Sequence, residues 1–499
     1  MSVDSQHPDY QNRTADWLLM RDTYAGVRTI KNKRFEYLPP TAGMVLDGAK
    51  GPSGGQEPGR SAYDAYIRRA IFPEFVRDAT NVLVGVMHRK PAKIELPPEL
   101  EPMRDNATRQ GESLLALLRR CNEEQLITGR FGMLADVKTG PGTITPHIVT
   151  YKTEDVINWD NDTTDASAPN RLTLAVMREV VNVRSSDFEW SQELRHRVCT
   201  INADGQYETF TDRDGIGESG KVVPSLSGRP LTEIPFITIG ANDLLLAPDD
   251  IPLLALANMA ISVYQSEADL RQTLFMLGQD TLAIIGEQSI DEDGDDTSTK
   301  PTRVGAGASI HVPKGGDVKM VGVSGNGLPE QRRTLGDDYT RAREAGSRLL
   351  EPRSGQAESG EALKVRVAAQ TSTLHQIAIT GAAGLEKILK MCATWRGADP
   401  SLVRVIPNVD FAETSVKPPD VLALIQAKAA GAPLSFEAIH KWLVANGYTD
   451  VDFEAEVAKI KKEEELKALL VPAPPPKAVP GDPNGGPPGQ KMQDTKPAQ

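Results

Sequence analysis

Cysteine and aromatic residues are scarce in this chain of 499 residues. The three cysteines, Cys121, Cys199 and Cys392, lie far apart and form no CxxC pair. This pattern argues against a disulfide framework or a structural zinc and fits a reducing cytosol. Phenylalanine, tryptophan and tyrosine together make up 5%, so much of the apolar surface is aliphatic. That composition suits an alanine-rich helical protein and equally a protein that buries small side chains between subunits.

Long hydrophobic runs and a basic excess are also absent. No apolar run approaches the roughly 20 residues that span a bilayer, and the first residues lack the layout of a secretion signal. The net charge of −12 argues against a protein that coats nucleic acid, because such a protein needs a basic surface. The negative net charge remains compatible with a protein whose acidic wall DNA slides past. We expect a soluble protein that is made and kept in a cytosol.

Motifs for catalysis or metal binding are missing as well. The seven histidines show no HExxH spacing. The segments GPSGGQEPGR and GAGASIHVPKGG contain neither a GK[ST] nor a GxGxxG motif. The acidic run 291–296 lacks the glutamate that closes a calcium loop, so we interpret it as a solvated hairpin tip. We predict no catalytic residue, no metal site and no cofactor.

The length predicts two or more domains, and the patterning predicts an α+β class. In the first half, we expect a short helix near Trp17–Ala25, a helix from Pro73 to His88 and a helix from about Glu101 to Ile127. The Gly/Pro-rich stretch 47–61 is expected to be an exposed loop. Strands are predicted for KIEL, GRFGMLADV, HIVTYKTEDVINWD, most of Leu172–Thr211, IPFITIG and a returning segment at Asn408–Glu413.

The middle of the chain reads as helix, small β insert, helix, Gly/Ser-rich break and helix. The first helix is expected from Asp249 to Gly278 and the second from about residue 329 to 350. Between them lie the strand-like runs TLAIIGEQ, ASIHVP and VKMVGV. The break EPRSGQAESG is too rich in glycine and serine to pack as core, and a third helix begins at Glu361.

The second of these helices is dense in arginine, with acidic residues interleaved: Arg332, Arg333, Arg341, Arg343 and Arg348. One interpretation is a solvated face with ion pairs four residues apart. The other is that some guanidinium groups face a DNA channel or the carboxylates of a neighbouring subunit. Lys364 and Arg366, just after the Gly/Ser-rich break, are further candidates for transient phosphate contact.

Beyond residue 417, two short helices are separated by Gly431-Ala432-Pro433. Ser435 is the predicted N-cap of the second, whose apolar face holds Phe436, Ile439, Leu443 and Val444. A charged helix follows. The Pro/Gly-rich residues 471–499 cannot bury a core and are predicted to be disordered.

Taken in order, several segments resemble the portal (head-to-tail connector) proteins of tailed bacteriophages. They are YDAYIRRAIFPEFVRDATNVLVGVMHRKPAKIELP, LITGRFGMLADV with VINWD, IPFITIG with PLLALANMAISVYQSEADLRQTLFMLGQDTLAIIG, and GSRLLEPRSGQAESGEALKVRVAAQTSTLHQIA with ATWRG. The resemblance covers roughly residues 10–465.

The resemblance implies a division of the chain into the parts of a portal subunit. These are an N-terminal arm and α+β wing (1–245), a stem helix (246–279), a clip (280–325), a second stem helix (326–350), a tunnel loop (351–360), a long helix returning to the wing (361–417), a helical crown (418–470) and the disordered tail (471–499). It also implies a DNA-facing tunnel loop with Arg353, Ser354, Gly355, Lys364 and Arg366, and a channel-lining stem with Arg332, Arg333, Arg341 and Arg348.

By the same resemblance, the protein is expected in the virion, with the host cytoplasm as its site of assembly. It would form a ring of twelve copies through which double-stranded DNA passes. Its partners would be the terminase large subunit, the head–tail adaptor, and the major capsid and scaffold proteins, with no membrane and no catalysis of its own. Two alternatives stay open: a minor virion or scaffold protein that forms no ring, and a phage enzyme that processes DNA.

Overall fold

The computed structural model describes residues 3–49, 58–140, 143–162, 171–213, 219–226, 228–278, 281–285, 316–321, 326–347, 372–411, 425–428, 430–445, 449 and 451–470. The chain divides into two compact units, residues 1–412 and 413–499. The first unit mixes helices and antiparallel sheets, so the predicted α+β class is confirmed.

Nine α-helices are described in the first unit. They are α1 (Pro8–Ala25), α2 (Val27–Lys33), α3 (Ala42–Leu46), α4 (Pro58–Arg69), α5 (Phe75–Met87), α6 (Leu114–Thr128), α7 (Leu254–Leu277), α8 (Leu328–Ser347) and α9 (Ser372–Arg396). Short 3₁₀ turns lie at Arg34–Glu36, Pro98–Met103, Thr153–Asp155 and Pro400–Leu402.

The described strands of this unit form antiparallel sheets. They are β1 (Lys93–Glu95), β2 (Arg130–Gly140), β3 (Thr143–Lys152), β4 (Val156–Asp162), β5 (Arg171–Arg184), β6 (Trp190–Ile201), β7 (Tyr207–Arg213), β8 (Ser219–Val222), β9 (Ser225–Leu226), β10 (Arg229–Pro230), β11 (Phe236–Gly240), β12 (Thr281–Ile285), β13 (Asp317–Val321) and β14 (Arg404–Ile406). One sheet has the order β11-β2-β3 and another the order β4-β5-β6-β7-β8. The pairs β1-β14, β9-β10 and β12-β13 are two-stranded.

Helix α9 packs between α6 and the three-stranded sheet, and two of its glycines make the close approach possible. A Cβ atom on Gly384 would lie 2.5 Å from Cδ1 of Ile239 on β11, and one on Gly381 would lie 2.4 Å from Nδ2 of Asn122 on α6. Gln125 of α6 donates to the backbone oxygen of Gly240 at 2.6 Å and to the hydroxyl of Thr380 at 2.9 Å. This buried polar junction fixes α6, α9 and β11 against one another.

A second buried polar contact ties α1 to the same region. The guanidinium of Arg21 on α1 donates to the carboxylates of Glu124 on α6 and Glu154 after β3. All three side chains are largely shielded from solvent. Burial raises the pKa of Glu124, against the opposing effect of Arg21. The carboxylates therefore depend on the arginine for their compensation.

Several predicted elements of the first half are confirmed. The helix expected at Pro73–His88 is α5, and KIEL and IPFITIG form β1 and β11. The β character of 172–211 is confirmed by the long β5–β6 ribbon and by β7.

Other predictions were wrong in their limits. The helix expected near Trp17 begins at Pro8, because proline suits a first turn and His7 accepts a hydrogen bond from the backbone N–H of Asp9. The helix expected from Glu101 is a 3₁₀ turn and then α6, because Ser113 caps a fresh start by accepting from the N–H of Ala116.

Two further limits differ. The loop expected over 47–61 gives way to α4 at Pro58, while residues 50–57 lie outside the described residues. The returning strand expected at Asn408–Glu413 was wrong: residues 408–411 form no strand, residues 412 and 413 lie outside the described residues, and the strand that returns is β14, before Pro407, which pairs with β1 through Val405. Pro407 has no N–H for a further ladder hydrogen bond, which explains why β14 stops before the predicted range.

The second unit contains α10 (Phe436–Ala445) and α11 (Phe453–Leu470). The predicted N-cap is confirmed, since the Ser435 hydroxyl accepts from the N–H of Ala438 at 3.0 Å. Ile439 is buried, but Phe436 and Val444 of the predicted apolar face are exposed. The tail predicted to be disordered lies outside the described residues.

Candidate functional site

Helix α7 is the central element of the candidate site, which consists of α7, α8 and the β12–β13 hairpin between them. One side of α7 packs on the N-terminal helices. The Tyr66 hydroxyl of α4 donates to Asp269 at 2.5 Å, and the guanidinium of Arg69 lies 3.9 Å from the centre of the Phe275 ring. The Tyr264 ring meets Phe72 edge-on. These contacts anchor α7 to the body of the first unit.

Another side of α7 packs on α8, and the two helices run antiparallel. Leu335 of α8 packs with Val263 and Leu270 of α7. Ala342, two turns further along α8, belongs to the cluster that holds Leu256, near the start of α7. Leu335 and Ala342 are the buried apolar side chains that α8 contributes among its described residues.

The buried carboxylate at this contact is partnered within its own helix. The buried carboxylate of Glu267 accepts from Arg271 at 2.6 Å, one turn along α7. Burial raises the pKa of Tyr264 to about 12 and also raises the pKa of Tyr66 and Tyr339. These phenols stay neutral at physiological pH and act as packing and hydrogen-bonding groups rather than as acids or bases.

The outer surface of α8 carries most of its charge. Of the arginines predicted to line a channel, Arg332, Arg333 and Arg341 are exposed on this helix, and Arg348 lies outside the described residues. Arg333 pairs with Glu330 at 2.5 Å and Arg341 with Asp338 at 3.4 Å, each one turn apart. Ion pairs this exposed contribute at most about 1 kcal/mol each. Two of the three arginines are thus already paired within the helix, as the solvated-face interpretation expects.

The hairpin lies where the β insert was predicted. Strands β12 and β13 pair antiparallel from Thr281↔Val321 to Ile285↔Asp317. This pairing brings the two ends of the insert together. Strand β12 follows α7 and β13 precedes α8, so the insert begins and ends beside the helix pair. The remainder of the predicted clip is outside the described residues, as are Arg353, Ser354, Gly355, Lys364 and Arg366 of the predicted tunnel loop.

Sequence reasoning missed the part that α4 takes in this site. Tyr63, Tyr66 and Ile67 are all buried, and their spacing of three and four residues is the signal of an amphipathic helix. The predicted loop 47–61 covers only the first turn of α4, and no helix was predicted for the rest of that segment. Tyr66 and Arg69 are the α4 residues that hold α7.

Among the described residues, no cluster of histidine, cysteine or acidic side chains is placed to hold a metal ion. Within the same part of the chain, no helix combines the length and apolar character needed to cross a membrane.

Comparison with known proteins adds a family match to the helix pair. A family model described as "Domain of unknown function (DUF4055)" matches residues 252–396, which extend from just before α7 to the end of α9. This is under a third of the chain. No curated protein matches.

Three solved structures are similar over much of the chain. "Virion of native gene transfer agent (GTA) particle" matches at 15% identity and a TM-score of 0.37, covering 77% of this chain and 92% of that one. "Neck of empty GTA particle computed with C6 symmetry" matches at 14% and 0.38, covering 75% and 90%. "Neck of native GTA particle computed with C12 symmetry" matches at 14% and 0.33, covering 75% and 89%. TM-scores this low do not support an inference about function.

Proposed function

We propose that this chain is a portal protein of a tailed bacteriophage, which forms a ring at the capsid vertex through which double-stranded DNA is packaged, retained and ejected. The observation that carries the proposal is the unit formed by α7, the β12–β13 hairpin and α8. The segments that resemble portal proteins include α7 and β12 and follow one another in the expected order.

The exposure of α8 supports a ring. At about 1.5 Å per residue, α7 and α8 are roughly 36 Å and 30 Å long. Only Leu335 and Ala342 are buried among the described side chains of α8. A helix that is polar nearly all round gains little from the core of its own chain. Copies set side by side around an axis would give α8 a neighbouring subunit on one side and a channel on another.

The charge of α8 suits a wall past which DNA moves. Its described residues include four arginines and four acidic residues: Glu330, Arg332, Arg333, Asp337, Asp338, Arg341, Arg343 and Glu344. A uniformly basic wall would hold the phosphate backbone, whereas a balanced one holds it weakly. We propose that Arg332, Arg333, Arg341 and Arg348 line this wall and that residues 351–360, with Lys364 and Arg366, contact DNA more directly.

The proposal also assigns partners. The terminase large subunit would dock at residues 280–325, and the head–tail adaptor, major capsid protein and scaffold protein would contact the ring in the virion. The chain itself would catalyse nothing, because the motor supplies the hydrolysis of ATP. A minor virion or scaffold protein without a ring, and a DNA-processing enzyme, remain the competing functions.

Light scattering on the purified full-length chain, combined with negative-stain imaging, tests the proposal. The expected result is a closed ring with a mass about twelve times that of the 54.1 kDa chain. Compact single particles at every concentration and salt tested would contradict it. Nuclease or ATPase activity that disappears on substitution of a single carboxylate would favour an enzyme instead.

A further inference from the structure

The β5–β6 ribbon extends beyond the sheet to which it belongs. Strand β4 pairs with β5 only as far as Met177, and β7 pairs with β6 only from Arg195 onward. Between these points, β5 and β6 pair only with each other among the described strands, up to Arg184↔Trp190. The tip is closed by the backbone N–H of Ser185, which donates to the oxygen of Glu189 at 2.9 Å.

The end of the ribbon exposes large apolar side chains. Phe188, in the turn, is 93% exposed and Trp190 is 67% exposed. Val180 and Leu194 are directly paired across the strands, lie on the same face as Trp190 by the two-residue period, and are also exposed. A two-stranded ribbon alone is marginally stable in water. Exposed aromatic clusters of this kind mark interaction surfaces.

A groove of matching character runs along the outer side of α9. Three concavities of about 310, 260 and 200 Å³ adjoin here: the second shares Leu244 and Lys387 with the first, and Met391 with the third. Their apolar lining includes Ile379 and Ala383 at one end and Trp395 at the other. We call this surface the α9 groove. Ile379 and Trp395 are separated by roughly 24 Å along α9 at about 1.5 Å per residue, which is room for an inserted turn with aromatic side chains.

The tip of the ribbon cannot reach the α9 groove of its own chain. Arg171, the first residue of β5, lines the groove beside Lys387 and Met391. Phe188 lies beyond the other end of that strand, which spans 14 residues and, at about 3.3 Å per residue, roughly 43 Å. The pairing of β5 with β6 is continuous from Leu174 to Arg184, so the ribbon does not fold back. The tip and the groove can meet only between two copies.

We infer that the tip of the β5–β6 ribbon, Arg184 to Leu194, docks into the α9 groove of an adjacent copy of this chain. The inference rests on the proposed ring and names the contact that closes it. Two different surfaces that complement each other make a heterologous contact, the type that repeats around a ring. An isologous dimer would need one surface that complements itself.

Charge complements the apolar fit. The turn carries Asp187 and Glu189 beside Phe188. Lys387 lies at the middle of the groove and makes no ion pair among the described residues, while Lys390 is paired with Glu386 at 2.5 Å. Glu233 and the paired Glu386 also line the groove, so the acidic tip complements Lys387 in particular, which favours insertion with Asp187 and Glu189 beside that ammonium.

Cysteine cross-linking tests the contact directly. Cys121, Cys199 and Cys392 are all buried, so introduced cysteines on the surface supply the reactive thiols. The full-length double variant Phe188→Cys with Met391→Cys, treated with a short bismaleimide, is expected to give a ladder of multimers on a denaturing gel. Each single variant, and Phe188→Cys combined with the exposed Ser262→Cys on α7, should give no such ladder.

The double variant Phe188→Ser with Trp190→Ser tests the energetic part. We expect the concentration at which the assembly dissociates to rise at least tenfold, because buried aromatic anchors dominate interfaces. The thermal unfolding of the dissociated chain should be unchanged, since both side chains are exposed in it. Leu46→Ser, which removes an exposed leucine on α3, is the matched control.

The outcomes separate this inference from the ring itself. Rings of wild-type stability in the Phe188→Ser with Trp190→Ser variant, without a ladder from the cysteine pair, would overturn the inference and leave the proposed function intact. A ladder from particles that never close would support the contact and contradict the ring. Monomers without a ladder would contradict both.

Discussion

Helices α8 and α9 are two long helices of one chain with opposite surroundings. Twelve residues of α9 are buried, and they face α6 and the three-stranded sheet. Only Leu335 and Ala342 of the described side chains of α8 are buried. Most helical stability in proteins comes from packing an apolar face. Helix α9 therefore belongs to the core of the subunit, whereas α8 depends on ion pairs within the helix and on whatever covers it in an assembly.

The charged groups of the two regions differ in the same way. Around α6, which packs against α9, Arg21 pairs with the buried carboxylate of Glu124 and the largely shielded one of Glu154. On α8, Arg333 holds Glu330 in solvent. Burial makes the first set costly to break, because a carboxylate left without its partner cannot be solvated.

The largest expected effect follows from that difference. Arg21→Ala should lower the free energy of unfolding by about 3–5 kcal/mol, because it leaves the buried Glu124 without its hydrogen-bonded counter-charge and with only the weaker influence of Lys152. Arg333→Ala, the matched change on α8, should cost no more than about 0.5–1 kcal/mol. Urea unfolding of both variants under conditions that keep the chain dissociated measures the two values. Similar losses would show that the buried and exposed regions are not energetically distinct.

Glycine gives a second, smaller contrast. Gly384 of α9 faces Ile239, and an added methyl group would overlap it, so Gly384→Ala should cost about 1–3 kcal/mol through overpacking. Gly336 of α8 has no atom within 4 Å of an added Cβ, so Gly336→Ala should stabilise the dissociated chain by about 0.5–1 kcal/mol. Thermal unfolding of the two variants checks the sign of each change. A loss for Gly336→Ala in the dissociated chain would mean that α8 has a close neighbour already.

The sequence predicted elements better than it predicted their neighbours. Helix α5 and strand β11 have clear periodicity and flanking turns, so local patterns were sufficient to find them. Helix α4 was missed because its buried tyrosines follow a Gly/Pro-rich stretch. The division of the helix expected from Glu101 depends on one serine cap, which a coarse periodicity does not resolve.

The candidate site was predictable only in outline. The order of α7, a β insert and α8 followed from the pattern, and the structure confirms those elements. The sequence pattern did not predict the partners of the arginines. A side chain on α8 can form an ion pair within its own helix, form one with another element or subunit, or stay in solvent. The exposed tip at Phe188 was equally hidden, since exposure depends on where β4 and β7 stop pairing.

The smallest expected effect is a change of the free energy of unfolding with pH, and it concerns the region around α6 and α9. Burial lowers the pKa of His88, whose ring bonds to Asn122 at 2.9 Å beside the α6–α9 junction, and burial also lowers the pKa of His147 on β3. An unfolded histidine takes up its proton near pH 6.5, whereas the folded one resists it until a lower pH, so stability falls as the pH drops through this window. His88→Gln removes the titration while keeping a side chain that can bond to Asn122.

The free energy of unfolding, measured at about pH 7.5 and about pH 5.5, should therefore fall less in His88→Gln than in wild type. Adding His147→Gln should reduce the difference further, because the half-buried His88 and the buried His147 contribute separately. If His88→Gln kept the full wild-type difference, the proton would be taken up elsewhere, and the junction between α6 and α9 would not respond to pH. That result would place the sensitivity of the fold outside the region that α9 stabilises.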